Sequence, residues 1–415
     1  MRRNSAGWSR AMGCEGGTSP FPLSISTTLT STPTNSMSNS TPTRHGFADG
    51  YLEFCMMLLR NVYRECKIEE FGEQGFCSLT LLVTHVTCLR DGGLMSEEGG
   101  PGSGDGLEGS GCKELVVQLR PGQHALDLEI ARAACTTYRC LAPKIRYLDL
   151  KLPGGLHAYE MQRLRGTPLS RLRPRCRTLD SDASKKLQRL IADFASIIAQ
   201  SWSTSSKEAT LSRNARADSP MNDATDMLPS CTGRVGSSII NRLRKLASEL
   251  PDWPLRNRAQ ATLKAVCGMV GYPVVLNHGD LIPSNILVDE DTWRITGLVD
   301  WAEAEMLPFG TCLYGLEYLL GFMDNPLSDG CLQPGGHAVF RYFDIAAELR
   351  ELFWMRLLDA VPELDGRLRD VKVMRDLGVL LWRGFAWDEG AIDRVVNEVD
   401  DAEELVYLRT FLNTS

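Results

Sequence analysis

The sequence has no apolar run approaching the ~20 residues of a membrane span, and no apolar secretory core follows its N-terminus. No membrane partner is therefore expected. A basic balance is also missing. The 45 Lys and Arg stand against 52 Asp and Glu, and a formal net charge of −7 argues against nucleic-acid binding through a positive surface. Thirteen cysteines are present, but no pair has CxxC spacing; the nearest two are Cys135 and Cys140, and the six histidines do not cluster with them. An odd count in a long chain predicts buried free thiols rather than a disulfide framework or a zinc site. With those classes excluded, the composition is that of an ordinary soluble protein, 43% hydrophobic and 23% charged, and a cytoplasmic location is expected. At 415 residues it can bury one large core or two lobes that meet at a cleft.

Residues 1–46 are rich in Ser, Thr, Pro and Asn, with few acidic residues. They read as a disordered tail in preference to an organelle transit peptide, because no amphipathic helical period runs through them. A first lobe is expected over 47–165. An amphipathic helix at 50–66 precedes the turn Phe71-Gly72-Glu73-Gln74-Gly75-Phe76-Cys77-Ser78, which leads into a strand at 79–89. A Gly/Ser/Glu-rich insertion at 91–112 reads as a flexible loop. It lacks the GxxxxGK[ST] pattern, and its acidic residues would repel phosphate. A strand at 114–120, a helix at 125–134 and a hairpin around Pro153-Gly154-Gly155 complete the lobe.

From 166 to 415 the pattern is mainly helical. Leu187, Leu190, Ile191, Phe194 and Ile198 form one apolar stripe at 3.6-residue spacing. A second polar stretch, 203–235, reads as another flexible insertion. Helices follow at 239–250 and 258–267, short strands at 274–276, 286–288 and 293–299, and helices again to the end. A small β-rich lobe followed by a larger helical one is an α+β, bilobal arrangement.

The chemistry is concentrated in Asn277-His278-Gly279-Asp280-Leu281-Ile282-Pro283-Ser284-Asn285-Ile286-Leu287-Val288 and in Ile295-Thr296-Gly297-Leu298-Val299-Asp300-Trp301. A loop carries Asp280, Asn285 opens the next strand, and a further strand delivers Asp300. Three oxygen-bearing side chains thus converge at the ends of short strands. Asn285 and Asp300 are the ligand types a hard Mg²⁺ takes. Asp280 can accept the proton of an attacking hydroxyl or orient it. Phosphoryl transfer depends on such positioning and charge neutralisation more than on covalent chemistry.

HGDxxxxN followed by DW resembles the catalytic and metal-binding elements of the aminoglycoside phosphotransferase family, which is similar to the protein kinases. The wording around these motifs is similar to that of a fungal branch. The resemblance spans roughly residues 65–415 apart from the two insertions, and implies a bilobal kinase-like fold. It implies Asp280 as catalytic base, Asn285 and Asp300 as metal ligands, and His278 as a support for the loop. It puts the nucleotide-covering turn at 72–78, with Gly75 and Ser78 at the nucleotide. It puts the α/β-phosphate contact on Arg120, paired with Glu129 in the following helix, with Asp127 as the alternative partner. The family usually has Lys where Arg120 stands, a change of reach and geometry; Gln118, on the same strand face, competes for that register. Met161, within Tyr159-Glu160-Met161-Gln162-Arg163, falls where the interlobe hinge meets adenine.

The arginines from Arg163 to Arg177 read as a solvated face, and the acidic run 400–404 as a helix surface. Glu303, Glu305 and Glu317 are candidates for a pocket favouring a cationic acceptor. The reading that results is an ATP- and Mg²⁺-dependent phosphotransferase acting on a hydroxyl of a small molecule. The alternative is a pseudokinase that binds nucleotide or partners without catalysis, suggested by Arg120 and the long insertions. A protein kinase is disfavoured because no APE-like segment follows Asp300.

Overall fold

The fold was analysed in a computed structural model, which describes residues 51–72, 74–75, 77–85, 114–215, 227–324, 338–388 and 391–414. The expected tail at 1–46 and insertion at 91–112 lie outside the described residues.

β-branched and leucine-rich segments build the first lobe. Helix α1 (Tyr51–Val62) precedes strands β1 (Cys66–Glu70), β2 (Leu79–His85) and β3 (Leu115–Pro121), then helix α2 (Leu128–Tyr138) and strands β4 (Ile145–Leu148) and β5 (Leu156–Gln162). The strands form one antiparallel sheet in the order β1-β2-β3-β5-β4. Period-two alternation divides β3 between two faces. Val117 and Leu119 join Leu79, Leu81, Val83 and Ala158 in a core closed by Cys55 and Leu59 of α1. Gln118 and Arg120 share the opposite face. Helix α2 starts at Leu128, later than the apolar pattern from 125 predicts, because Asp127 caps it by accepting from the Glu129 and Ile130 amides (2.9 and 3.2 Å).

The second lobe follows strand β6 (Thr167–Pro168) and the short helix α3 (Leu169–Leu172). Its frame is helix α4 (Ser181–Ala215), with the short α5 (Gly233–Gly236), then α6 (Ile239–Glu249) and α7 (Trp253–Cys267). The expected apolar stripe is fully buried, from Leu187 to Ile198, and Phe194 packs on Phe353 with ring centroids 5.8 Å apart. The flexible insertion expected at 203–235 is corrected in part: α4 continues through 215, and short helices form at Leu228–Ser230 and Gly233–Gly236. A helix already nucleated by its packed half propagates cheaply into polar sequence. Residues 216–226 lie outside the described residues.

Strands β7 (Val274–Asn277), β8 (Ile286–Val288), β9 (Ile295–Leu298) and β10 (Glu305–Pro308) carry the loops of interest. They pair antiparallel as β7 with β10 and as the sheet β6-β8-β9. Beyond them lie α8 (Tyr314–Leu319), β11 (Gly321–Asp324), β12 (Val339–Tyr342), α9 (Ala346–Ala360), α10 (Leu368–Arg383) and α11 (Ala402–Leu412). The β11–β12 hairpin departs from the helical expectation for this region. Helix α10 is buried on every side from Met374 to Arg383. Gly378 permits its close crossing of the turn at Thr311–Leu313, since a Cβ there would lie 1.8 Å from the Thr311 carbonyl oxygen. Among the described residues no helix is long and apolar enough to cross a membrane.

All nine described cysteines are free thiols, but the expectation of burial holds for only part of them: Cys140, Cys176 and Cys267 are exposed. The acidic run 400–404 is also more than a surface. Asp401 pairs with Arg394 at 2.6 Å, and Glu404 with the buried Arg383 at 2.5 Å.

Candidate active site

Asn277 anchors the end of β7. Its Nδ2 donates to the Val275 and Leu307 carbonyls (3.0 Å each), and its Oδ1 accepts from the Cys312 amide at 3.0 Å. His278 is buried, its ring centroid 4.4 Å from that of Trp301, and its Nδ1 accepts from the Asp280 amide at 3.4 Å. Burial pulls its pKa down to about 4, against the opposing charge of Asp300, so the imidazole is neutral and acts as a wedge under the loop. Gly279 turns the chain at φ +79°, where a Cβ would lie 1.8 Å from the Glu303 carbonyl oxygen. That approach and that dihedral require glycine.

Asp280 follows, only 2% exposed. Asn285 Nδ2 donates both to the Asp280 backbone carbonyl and to its Oδ2, at 2.9 Å each. The Leu281 amide donates to Tyr314 Oη at 3.0 Å, tying the loop to α8. Burial pushes the Asp280 pKa up to about 6, and the charges of Asp300 and Glu303 add to the rise while Arg383 opposes it. That range suits a general base at neutral pH.

Asp300 arrives from β9 in a left-handed conformation (φ 61°, ψ 66°), uncommon outside glycine. The turn is held on both sides. The Val299 amide donates to the Asn285 carbonyl at 3.0 Å, and Trp301 Nε1 donates to the Leu298 carbonyl at 2.9 Å. Across the cleft, Arg120 Nη2 lies 3.5 Å from Asp300 Oδ1. A small cavity of about 40 Å³ between the lobes is lined by Gln118, Arg120, Ile130, Met161, Asp300 and Trp301. One cavity thus gathers Arg120, Met161 and Asp300, and the Asp280–Asn285 pair lies close enough for Asp280 to feel the Asp300 charge.

Gly75 and Ser78 lie in the turn between β1 and β2. The Gln74 side chain closes that turn by donating to the Phe71 and Thr80 carbonyls (2.7 Å each) and accepting from the Thr80 amide at 2.8 Å. Ser78 Oγ is 3.5 Å from Thr80 Oγ1. The Cys77 thiol, its pKa pushed up to about 11 by burial, feels the charges of Arg120, Glu303 and Asp300, so this turn borders the same site.

Three expectations are corrected. Glu129 does not pair with Arg120: it is solvent-exposed on the first turn of α2 and bonds to Arg132. Asp127 does not replace it, being engaged as the helix cap. Arg120 instead donates through Nε to Gln118 Oε1 at 2.9 Å. Glu317 does not line an acceptor pocket. It is wholly buried and bonds to Arg375 (2.9 Å), Arg350 (2.8 Å) and Tyr342 (2.8 Å). Glu305, also buried, accepts from the Val235 and Gly236 amides (3.0 and 2.8 Å) and fixes α5 to β10. Glu303 and Glu305 both line a cleft of about 350 Å³ that also touches Arg120, His124 and Arg234, but the Glu305 carboxylate is taken up by the α5 amides. The arginines 163–177 are not simply solvated: Arg173 Nη1 donates to the Tyr318 carbonyl at 2.8 Å, and Arg177 pairs with Asp344 at 3.1 Å.

Sequence reasoning assigned no task to Asn277, Tyr314 or Arg383. Asn277 belongs to the motif itself, whereas Tyr314 and Arg383 come from distant helices and carry no local signal.

A family model described as "phosphotransferase enzyme family" matches residues 107–311, the span from β3 through both motif loops. Over that span the chain is similar to this phosphotransferase family. Solved structures of similar shape include an aminoglycoside-3'-phosphotransferase of type VIII, at 14% identity and a TM-score of 0.40, covering 79% of this chain and 99% of that one. Another is the macrolide 2'-phosphotransferase of Brachybacterium faecium, at 16% identity and a TM-score of 0.42, covering 87% and 98%. A third, an aminoglycoside phosphotransferase crystallised with ADP and hygromycin B, has 14% identity and a TM-score of 0.43, covering 86% and 97%. No curated protein matches the chain.

Proposed function

We propose that this chain moves the terminal phosphoryl group of ATP to a hydroxyl of a small molecule. The observation that carries the reading is the clamp of Asn285 on Asp280, with Asp300 facing Arg120 across the cleft. Asp280 accepts the proton of the attacking hydroxyl and holds that oxygen in line with the phosphorus. Its rotamer is fixed by Asn285, which removes the need to order it during the reaction.

The donor set suits a hard cation. The Asn285 amide nitrogen is engaged by Asp280, which leaves the amide oxygen as the atom to offer a metal, and Asp300 supplies a carboxylate. Asn285 and Asp300 would hold Mg²⁺, which when bound neutralises charge on the phosphate oxygens. Arg120, 3% exposed and with Nη1 unpartnered among the described residues, supplies a fixed positive charge to the same phosphates. Gly75 and Ser78 cover the nucleotide from the turn, and Met161 bounds it at the start of the interlobe connection. A cationic group on the acceptor would be met by Glu303 rather than by Glu305 or Glu317.

The test is Asp280→Asn. The variant keeps nucleotide-dependent stabilisation and loses phosphate transfer or release, measured over a panel of hydroxyl compounds, by about 10²-fold or more. Undiminished turnover would remove Asp280 from the role. Wild-type protein that binds ATP and transfers phosphate to nothing, water included, would favour the pseudokinase alternative.

A further inference from the structure

The guanidinium of Arg120 is held by its own sheet. In β3, Gln118 lies two residues before Arg120 and directly opposite Thr80 of β2. Arginine only donates, so the Gln118 amide must present Oε1 to Arg120 Nε, at 2.9 Å. That choice turns its NH₂ towards Thr80 Oγ1, at 3.4 Å, which is 3.5 Å from Ser78 Oγ. A polar chain thus runs from Ser78 through Thr80, Gln118 and Arg120 to Asp300.

The other contacts of Arg120 are weaker or missing. The Asp300 oxygen is 3.5 Å from Nη2, and Nη1 is buried without a partner among the described residues. The helix that could have supplied a carboxylate does not: Glu129 faces solvent with Arg132, and Asp127 caps α2.

We propose that Gln118 is the positioning residue for Arg120, fixing Nη1 and Nη2 for the phosphates of the nucleotide while α2 takes no part. The inference rests on the nucleotide reading given above. It makes the phosphate contact a property of one strand pair, β2 and β3, and independent of how α2 sits. It also couples the turn at 77–78 to the cleft, because the same hydroxyls that end the turn orient the Gln118 amide.

ATP and adenosine serve as paired probes, since only ATP reaches Arg120. Affinities are read by calorimetry on the full chain for the wild type, Gln118→Leu, Gln118→Glu and Glu129→Ala. Gln118→Leu weakens ATP by about tenfold or more, the scale of a lost hydrogen bond to a charged group, with adenosine unchanged. Gln118→Glu, which keeps an oxygen in that place, restores ATP affinity to within about threefold of wild type. Glu129→Ala leaves both ligands unaffected. Equal weakening of ATP and adenosine in Gln118→Leu would mean a merely structural role and overturn the proposal. Wild-type ATP affinity in Gln118→Leu, or a loss of ATP affinity in Glu129→Ala, would overturn it as well. A wild-type chain that binds adenosine and ATP alike, or neither, would instead refute the nucleotide-phosphate reading itself.

Discussion

Replacing Glu317 with glutamine should destabilise the second lobe severely while leaving nucleotide binding intact in whatever remains folded. Glu317 is 0% exposed and its carboxylate meets two arginines from different helices, Arg350 of α9 and Arg375 of α10, and the Tyr342 hydroxyl of β12. Breaking a buried ion pair by removing one partner costs about 3–5 kcal/mol, because the other charge is stranded. Arg375 would keep Asp376 at 2.7 Å, whereas Arg350 would keep, among the described residues, no carboxylate but its contacts with Tyr342, whose ring centroid is 5.3 Å away. The loss should therefore fall near the lower end, about 3 kcal/mol, and be dominated by Arg350. Equilibrium urea unfolding measures it. Adding Arg350→Met to Glu317→Gln should recover part of the loss, since removing the stranded charge relieves its desolvation. A change below about 1 kcal/mol, within the range of surface substitutions and paired with an altered preference among acceptors, would refute the structural role.

Gly279→Ala should abolish activity and lower the thermal midpoint, because its Cβ would overlap the Glu303 carbonyl at a φ of +79°; an active, stable variant would show that the loop has another conformation. The pH profile of kcat/KM should fall about tenfold per unit below a midpoint of about 6 and level off above it, because Asp280 acts ionised and burial raises its pKa to that value. The sign for stability is opposite. With a folded pKa above the ordinary 3.8, Asp280 favours the fold most strongly at low pH, and that contribution is lost as pH rises through about 6. A midpoint near 4 in the rate profile would place the base elsewhere.

The juxtaposition of Asp280, Asn285 and Asp300 was readable because it is local. Asp280 and Asn285 lie five residues apart, and the short turn between them forces their side chains together whatever the surroundings. Asp300 was equally plain, since β8 and β9 form a hairpin that brings the ends of its strands close. The partner of Arg120 was not readable from helix period alone. The cap at Asp127 turns the first residues of α2 outward, and the competing acceptor, Gln118, lies on the strand itself. Glu317 was misread for a different reason. Its neutralising partners arrive from positions 33 and 58 residues further on, so nothing nearby marks it as buried. The β11–β12 hairpin escaped notice because each strand has only four residues, too few for an alternation to be distinguished from the start of a helix.

The most direct test of the central claim is a thermal melt of the wild type and Asp300→Ala with ATP, with and without Mg²⁺. A ligand that binds only the folded chain at 100 times its Kd stabilises it by about 2.7 kcal/mol. The account predicts a shift that requires Mg²⁺ and vanishes in Asp300→Ala. A well-folded wild type with no shift at millimolar ATP, or a shift that Asp300→Ala retains in full, would contradict it.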